Sequence, residues 1–252
     1  MSDDKIHESV IRAFDAAAAT YDAASQVQRE IARELVLRAA RDFAGAPKKI
    51  LDLGSGAGHV TDFALKQWPG AELTALDAAP KMLAALQAKF PGVKIIQADA
   101  AAPGAIGRYD LILSSMMAHW LPEPRQALAR WRKLLSTGGR LHVALPVAGS
   151  LGEWRDACRD EHLADGLWAF PEPGFAAGLS ENANTKAFIA TYDDAQKFLL
   201  GLKRTGARKS RPGHSPTSLT ALRRMLARQK KPFRATFQVE FLALGAEPIP
   251  SS

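Results

Sequence analysis

Between Lys49 and Leu145, short and almost wholly apolar runs alternate with segments whose apolar residues recur at helical spacing. Lys49 to Leu53, Glu72 to Leu76, Val93 to Gln97, Tyr109 to Ser114 and Arg140 to Leu145 read as strands; Val60 to Trp68, Pro80 to Phe90 and Pro124 to Leu135 read as helices between them. Few patterns restrict a chain more tightly. Strands joined through helices run parallel, because a parallel pair needs a long crossover. Runs such as Leu111-Ile112-Leu113, with no polar residue alternating, belong to a sheet covered on both faces. The expectation is an α/β fold with a doubly wound, mainly parallel sheet. A length of 252 residues, 47% of them apolar, is enough for one such domain with a substantial core.

The flanks differ in texture. Residues 5 to 44 read as helix, with Val10, Ile11, Phe14, Ile31, Leu35 and Val36 at helical spacing, and Gly45-Ala46-Pro47 ends it. After Gly149 a helical Leu151 to Leu163 leads into an irregular excursion marked by Pro171, Pro173, Gly174, Gly178 and Asn182 to Asn184. Strand-like Ala187 to Tyr192, helical Asp193 to Lys203, a Gly/Pro-rich loop, helical Leu219 to Gln229 and strand-like Phe233 to Leu244 follow, which brings the strands to seven.

Charge is concentrated. Residues 195 to 239 hold twelve Lys or Arg and no Asp or Glu, whereas the rest of the chain has 21 basic against 26 acidic residues. A net charge of +7 is therefore a mildly acidic body with one strongly basic region, which suits a localised anionic partner. A solvated helix face is the bland alternative. One cysteine, Cys158, rules out an internal disulfide, Met1-Ser2-Asp3-Asp4-Lys5 lacks the order of a signal peptide, and no run approaches the roughly 20 apolar residues of a membrane span. A cytoplasmic protein with no membrane partner is expected.

The chemistry-bearing feature is Asp52-Leu53-Gly54-Ser55-Gly56-Ala57-Gly58, which closes the first strand and opens the first helix. Glycines there let the backbone turn sharply and approach a ligand. Asp77 closes the second strand, where an acid can accept both hydroxyls of a ribose, and Asp99 follows the third. All three acids are expected to face the crevice at the carboxyl ends of the strands. The dinucleotide spacing G-x-G-x-x-G would put its third glycine at His59, so a nicotinamide dinucleotide is disfavoured. A tight turn and helix caps would account for the glycines and acids singly; their joint occurrence in order points to a ligand.

This spacing resembles the glycine motif of the class I S-adenosylmethionine-dependent methyltransferases, with their Rossmann-like seven-stranded fold. The resemblance implies S-adenosyl-L-methionine as cofactor: Asp52 near its methionine end, Gly54, Gly56 and Gly58 packed under it, Asp77 on the ribose and Asp99 on the adenine amine. Phe14 through Thr20-Tyr21 resembles an N-terminal segment whose tyrosine, here Tyr21, helps cover the cofactor. The blocks Ser114-Ser115-Met116-Met117-Ala118-His119-Trp120, Gly149-Ser150-Leu151, Tyr192-Asp193-Asp194-Ala195 and Leu202 to Ala207 follow the order seen in the malonyl-acyl-carrier-protein O-methyltransferases of biotin synthesis. Ser114 joins the cofactor set on this basis, and His119 and Trp120 the substrate set. Ser115 and His119 depart from the Asn and Gln usual in that family, and Ser218 lies where a basic residue is common. The implied layout is one methyltransferase domain over 1–252: a helical lid at 1–46, a cofactor-binding core at 47–148, a substrate and lid region at 149–232, and a final strand at 233–246.

The implied reaction suits the residues. A carboxylic acid with a pKa near 4 is already ionised at neutral pH, so its methylation needs no general base, no catalytic residue in the strict sense and no metal. Positioning supplies the rate. A cationic clamp for the carboxylate is expected, with Lys203 and Arg211 the favoured members among Lys203, Arg204, Arg208, Lys209 and Arg211. Acidic acyl carrier protein would dock on the basic 195–239 region. Another small acid is an alternative acceptor; a phenol would need His119 as base, and RNA would need stacking aromatics inside the basic region, which holds only Phe198, Phe233 and Phe237. An assembly factor that keeps the fold without the activity is a third alternative, disfavoured by the intact Gly54, Gly56, Gly58, Asp77 and Asp99 set.

Overall fold

In a computed structural model that describes residues 3–180, 182–207 and 218–246, two N-terminal helices, α1 (Asp3–Ala24) and α2 (Gln26–Asp42), precede the alternating region. That region runs β1 (Lys49–Leu53), α3 (His59–Gln67), β2 (Glu72–Asp77), α4 (Pro80–Lys89), β3 (Lys94–Gln97), β4 (Tyr109–Ser115), a single 3-10 turn (Ala118–Trp120), α5 (Pro124–Arg132) and β5 (Leu135–Pro146). Then come α6 (Gly152–Asp160), β6 (Asn182–Tyr192), α7 (Ala195–Arg204), α8 (Leu219–Arg228) and β7 (Phe233–Gly245). The seven strands lie in the order β3-β2-β1-β4-β5-β7-β6, parallel except that β7 runs against both of its neighbours.

Both faces of the sheet are covered, as the unbroken apolar runs require. Successive side chains of a strand point to opposite faces. Ile50, Leu111 and Leu113 enter one cluster with Ile31 and Leu35 of α2, and Leu51, Leu53 and Ile112 enter the other with Leu128 and Trp131 of α5. On α2 the spacing Val27, Ile31, Leu35 makes the buried stripe. Trp131 is wholly buried, and its indole nitrogen donates to the Ala100 carbonyl at 2.8 Å, which fixes the segment just after Asp99.

Four local expectations change. The N-terminal helix breaks at Ser25, whose hydroxyl pairs with His59 Nε2 at 2.7 Å instead of letting one helix run from 5 to 44. Leu135 opens β5 opposite Tyr109 rather than closing α5, because its side chain is buried in the same cluster as Trp131. Asn182 to Asn184 belong to β6, where pairing with Phe241 to Ala243 overrides the weak strand preference of asparagine. The 3-10 turn over Ala118-His119-Trp120 has no forecast counterpart.

Sheet order reverses at β1, with β2 and β3 on one side and β4 and β5 on the other. In such sheets ligands bind at the crevice beyond the carboxyl ends of the strands at this point. Helix α1 lies over that crevice: Asp15 accepts from the Lys81 backbone nitrogen at 2.8 Å at the start of α4, and Thr20 Oγ1 donates to the Arg204 carbonyl at 2.8 Å at the end of α7.

Candidate cofactor cleft and adjoining cavity

The glycine loop is drawn across the end of β2 by hydrogen bonds from the Gly54 and Ser55 nitrogens to the Leu76 carbonyl, at 2.8 and 3.0 Å. Two of its glycines do different work. Gly54 has φ +70°, and a Cβ there would stand 2.3 Å from Met117 Cγ, so only glycine lets the loop pass under that side chain. Gly56 has φ +50° and nothing within 4 Å of the position of a Cβ, because that position faces open cleft. Gly58 opens α3.

The acids separate. Asp77 lines the cleft, where its two carboxylate oxygens accept from the Gly56 and Ala79 nitrogens, each at 2.8 Å; burial raises its pKa above the ordinary carboxylate range. Asp99 also lines the cleft, accepting from the Ala101 nitrogen at 2.8 Å and pairing with His7 Nε2 at 2.9 Å, and the bond to His7 holds its carboxyl low. Asp52 does not line the cleft. Strand alternation places it away from Leu51 and Leu53, behind the loop; it is 1% exposed and accepts from Thr61 Oγ1 at 2.8 Å, with its other oxygen unpartnered. Burial raises its carboxyl to about 7, with the charge of Asp77 adding to the effect.

The cleft has about 660 Å³ of empty space, and besides the acids it is walled by Val10, Ile11, Met82, Ser115 and Met117. An adenosyl group fits such a donor set: apolar side chains for a flat base, Asp77 for vicinal hydroxyls, a bare glycine backbone at Gly56, and a buried Ser115 hydroxyl without a partner. Ser114 is one residue away from this role. It is fully buried, and its hydroxyl donates to the Leu53 carbonyl at 2.9 Å, tying β4 to β1.

A second cavity adjoins the first. Phe14, Tyr21, Met116 and Trp120 line both. Met116 sits at φ +56°, a region that unbranched residues seldom occupy. Trp120 packs edge-on against Phe14 at 5.5 Å and Trp168 at 5.8 Å, with His119 at 4.8 Å. Trp168 and Phe170 come from the irregular excursion, which α6 pins: Arg155 donates to Asp165 at 2.7 Å and to the Trp168 carbonyl at 2.9 Å, and Trp154 donates to the Asp165 carbonyl at 2.9 Å. The lining is almost entirely apolar. His119 faces it with a pKa that burial pushes down to about 3, so its ring is neutral. Tyr21 stays protonated, its pKa raised by burial and by Asp77.

Of the expected residues, Tyr21, Gly54, Gly56, Asp77 and Asp99 meet in the cleft, and His119 and Trp120 meet in the second cavity. Lys203 does not reach it: the side chain is exposed on the last turn of α7. Arg211, with Arg208 and Lys209, lies outside the described residues. Sequence reasoning missed His7, Gln28, Trp168 and Phe170, because their partners lie far along the chain; the aromatic pair inside a Pro/Gly-rich excursion was the one available signal. Among the described residues no group of three His, Cys, Asp or Glu could hold a metal, and no helix is long and apolar enough to cross a membrane.

A methyltransferase domain model matches residues 51–143, the glycine loop and β1 to β5. The chain is 31% identical over 222 residues to the biotin biosynthesis bifunctional protein BioCD of Bordetella avium, covering 86% of this chain but only 48% of that longer protein. It is 31% identical over 225 residues to the malonyl-[acyl-carrier protein] O-methyltransferase of Hahella chejuensis, covering 86% of this chain and 79% of that protein. Among solved structures, the plantazolicin methyltransferase BpumL in complex with SAH shares the fold, with a TM-score of 0.53, 16% identity and coverage of 95% and 97% of the two chains. The chain therefore belongs to the malonyl-[acyl-carrier protein] O-methyltransferase family and is an S-adenosylmethionine-dependent methyltransferase.

Proposed function

We propose that this enzyme methylates the free carboxylate of a malonyl thioester carried on acyl carrier protein, a step of biotin (pimeloyl) synthesis, in the cytoplasm. The observation that carries this reading is the pairing of a cofactor cleft with an adjoining cavity that has, among the described residues, no titratable base able to work at neutral pH. His119 is held neutral by burial and Tyr21 protonated, so the cavity suits an acceptor that arrives already ionised. Relatives named for this substrate match both halves of the chain.

In this reading Asp77 accepts the ribose hydroxyls, Asp99 the adenine amine, and Gly54 to Gly58 lie under the ligand. Asp52 stands behind the loop near the methionine end, bonded to Thr61; Ser115 takes the part first given to Ser114; and Tyr21 covers the cofactor. S-adenosylmethionine held by these residues would supply an electrophilic methyl group, which a carboxylate oxygen would take by direct displacement from sulfur. Phe14, Met116 and Trp120 then exclude water and align the acceptor, the source of rate that proximity provides. Residues 1–46 form the N-terminal part of the lid and 149–232 its substrate side. The carrier docks on the basic 195–239 region, where Arg223, Lys230 and Arg234 are exposed, while Arg224 and Arg228 pair with Glu161. Lys203, exposed on α7, contributes to docking instead.

Intact-mass spectrometry of malonyl-acyl carrier protein, incubated with enzyme and S-adenosylmethionine, tests the reading, with acetyl-acyl carrier protein as control. One added methyl on the malonyl form alone is expected. No transfer by an enzyme that binds S-adenosylhomocysteine overturns the substrate assignment and leaves a small free acid as the acceptor to test.

A further inference from the structure

Two residues that line the second cavity each bury a polar atom without a hydrogen-bond partner: Gln28 Oε1 on α2 and His119 Nδ1 on the 3-10 turn. Around them the wall is hydrocarbon and aromatic, including Leu151, Leu167, Trp168, Phe170 and Phe237, and no described Lys or Arg lines it. Buried polar groups in native proteins are nearly always satisfied. Two exceptions on one apolar cavity, contributed by elements 91 positions apart in the chain, mark where the polar atoms of a ligand come to rest. Both groups are neutral and both can donate. A side-chain amide can turn its nitrogen or its oxygen to the cavity, and an uncharged imidazole carries one N–H and one acceptor nitrogen.

We propose that Gln28 and His119 form an uncharged hydrogen-bonding clamp for the carboxyl head of the acceptor, with Gln28 as a specificity-determining residue. This rests on reading the second cavity as the acceptor side. An N–H from each residue engages the carboxylate without covering both oxygens in the bidentate manner of a guanidinium, so an oxygen lone pair stays free to take the methyl group. The clamp selects acids with a single ionised head on an uncharged chain, because a second carboxylate would stand unpaired against Trp168 and Phe170.

The test measures KM and kcat for malonyl-acyl carrier protein in Gln28→Leu, Gln28→Glu, His119→Leu and His119→Gln, with S-adenosylhomocysteine affinity measured by calorimetry on each. Both leucine variants should raise the acceptor KM about tenfold or more while cofactor affinity stays within twofold. Gln28→Glu should raise it further by opposing the carboxylate, and His119→Gln should recover most of the loss. An acceptor KM within twofold of wild type in both leucine variants overturns the clamp and leaves the substrate reading intact; so does a parallel fall in cofactor affinity, which marks a structural role. If the wild-type enzyme fails to methylate malonyl-acyl carrier protein, the substrate reading fails by itself. The clamp is then tested by titrating enzyme loaded with S-adenosylhomocysteine with monocarboxylic and tricarboxylic acids. Binding of monocarboxylates that Gln28→Leu abolishes supports it, and no binding by wild type overturns it.

Discussion

The cofactor cleft takes its polar groups from the carboxyl ends of consecutive strands, whereas the adjoining cavity takes its walls from α1, α2, the 3-10 turn, the excursion after α6, and β7. In the cleft, each strand-to-helix turn delivers one group to the same edge of the sheet, so Gly54, Gly56, Asp77 and Asp99 meet because parallel strands must end together. Nothing comparable aligns Gln28, His119, Trp168 and Phe237. Their meeting depends on how α2 packs on the sheet and on how Arg155 and Trp154 hold the excursion in place. One side is built by repetition of a local unit and the other by long-range packing, and among the described residues the two share Phe14, Tyr21, Met116 and Trp120.

If that division is real, substitutions on one side should leave the other nearly untouched. The largest effect is expected from Gly54→Val. The added carbons would run into Met117 at a backbone φ of +70°, and calorimetry should show S-adenosylhomocysteine affinity down by about 100-fold or more, with a lower Tm. Near-normal affinity would mean that the loop has room that its geometry does not show.

A titration distinguishes the buried Asp52 from its neighbours. Its carboxyl lies at about 7 in the folded protein against an ordinary 3.8, so between those values the unfolded chain gives up a proton that the folded one keeps. Asp52 therefore contributes stability that is lost as pH rises through this window, by up to a few kcal/mol; His59, His119 and His142, held low by burial, act in the opposite sense, so it is the stability of wild type relative to Asp52→Asn, from denaturant unfolding of the ligand-free protein, that should fall. A wild-type advantage over Asp52→Asn that does not fall through the window would contradict a raised Asp52.

Asp77→Asn keeps the shape but removes the charge that the Gly56 and Ala79 nitrogens now address. Charge-assisted hydrogen bonds contribute about 1.5–3 kcal/mol, so cofactor affinity should weaken about 10- to 100-fold while the acceptor KM holds. Trp120→Ala is the substitution that should cross the boundary, since its ring touches Phe14 on one side and His119 and Trp168 on the other. We expect roughly tenfold losses in both cofactor affinity and acceptor KM; a change in only one would break the shared wall. The smallest effect, a few-fold rise in KM for acyl carrier protein that shrinks as salt is raised, is expected from the double variant Lys230→Glu, Lys231→Glu. A small malonyl thioester should be turned over as before, and an unchanged carrier KM would move the docking surface elsewhere on the basic region.

How far each side can be read from the sequence follows from the same division. Strand runs at Lys49 to Leu53 and Tyr109 to Ser114, the glycine spacing, and Asp77 are local signals, and they recur in place in the folded chain. Ser114 and Asp52 were assigned to the cleft by position in a motif, but one step along a strand reverses the face. Ser114 therefore ties β4 to β1 while Ser115 reaches the cleft, and Asp52 turns behind the loop to Thr61. Lys203 had the right charge and family-like setting, yet its helix buries Ala195 and Phe198 and leaves the lysine in solvent.

By itself, then, the sequence determined the layer architecture and the cofactor side, because periodicity, crossover length and glycine conformation act over a few residues and admit few alternatives. Tertiary structure alone decided the adjoining cavity. Helix α2 has a buried stripe of Val27, Ile31 and Leu35 of the kind any amphipathic helix carries; only its docking on the sheet brings the amide of Gln28 to a cavity shared with His119, because contacts between distant segments are set by packing and leave no local pattern to read.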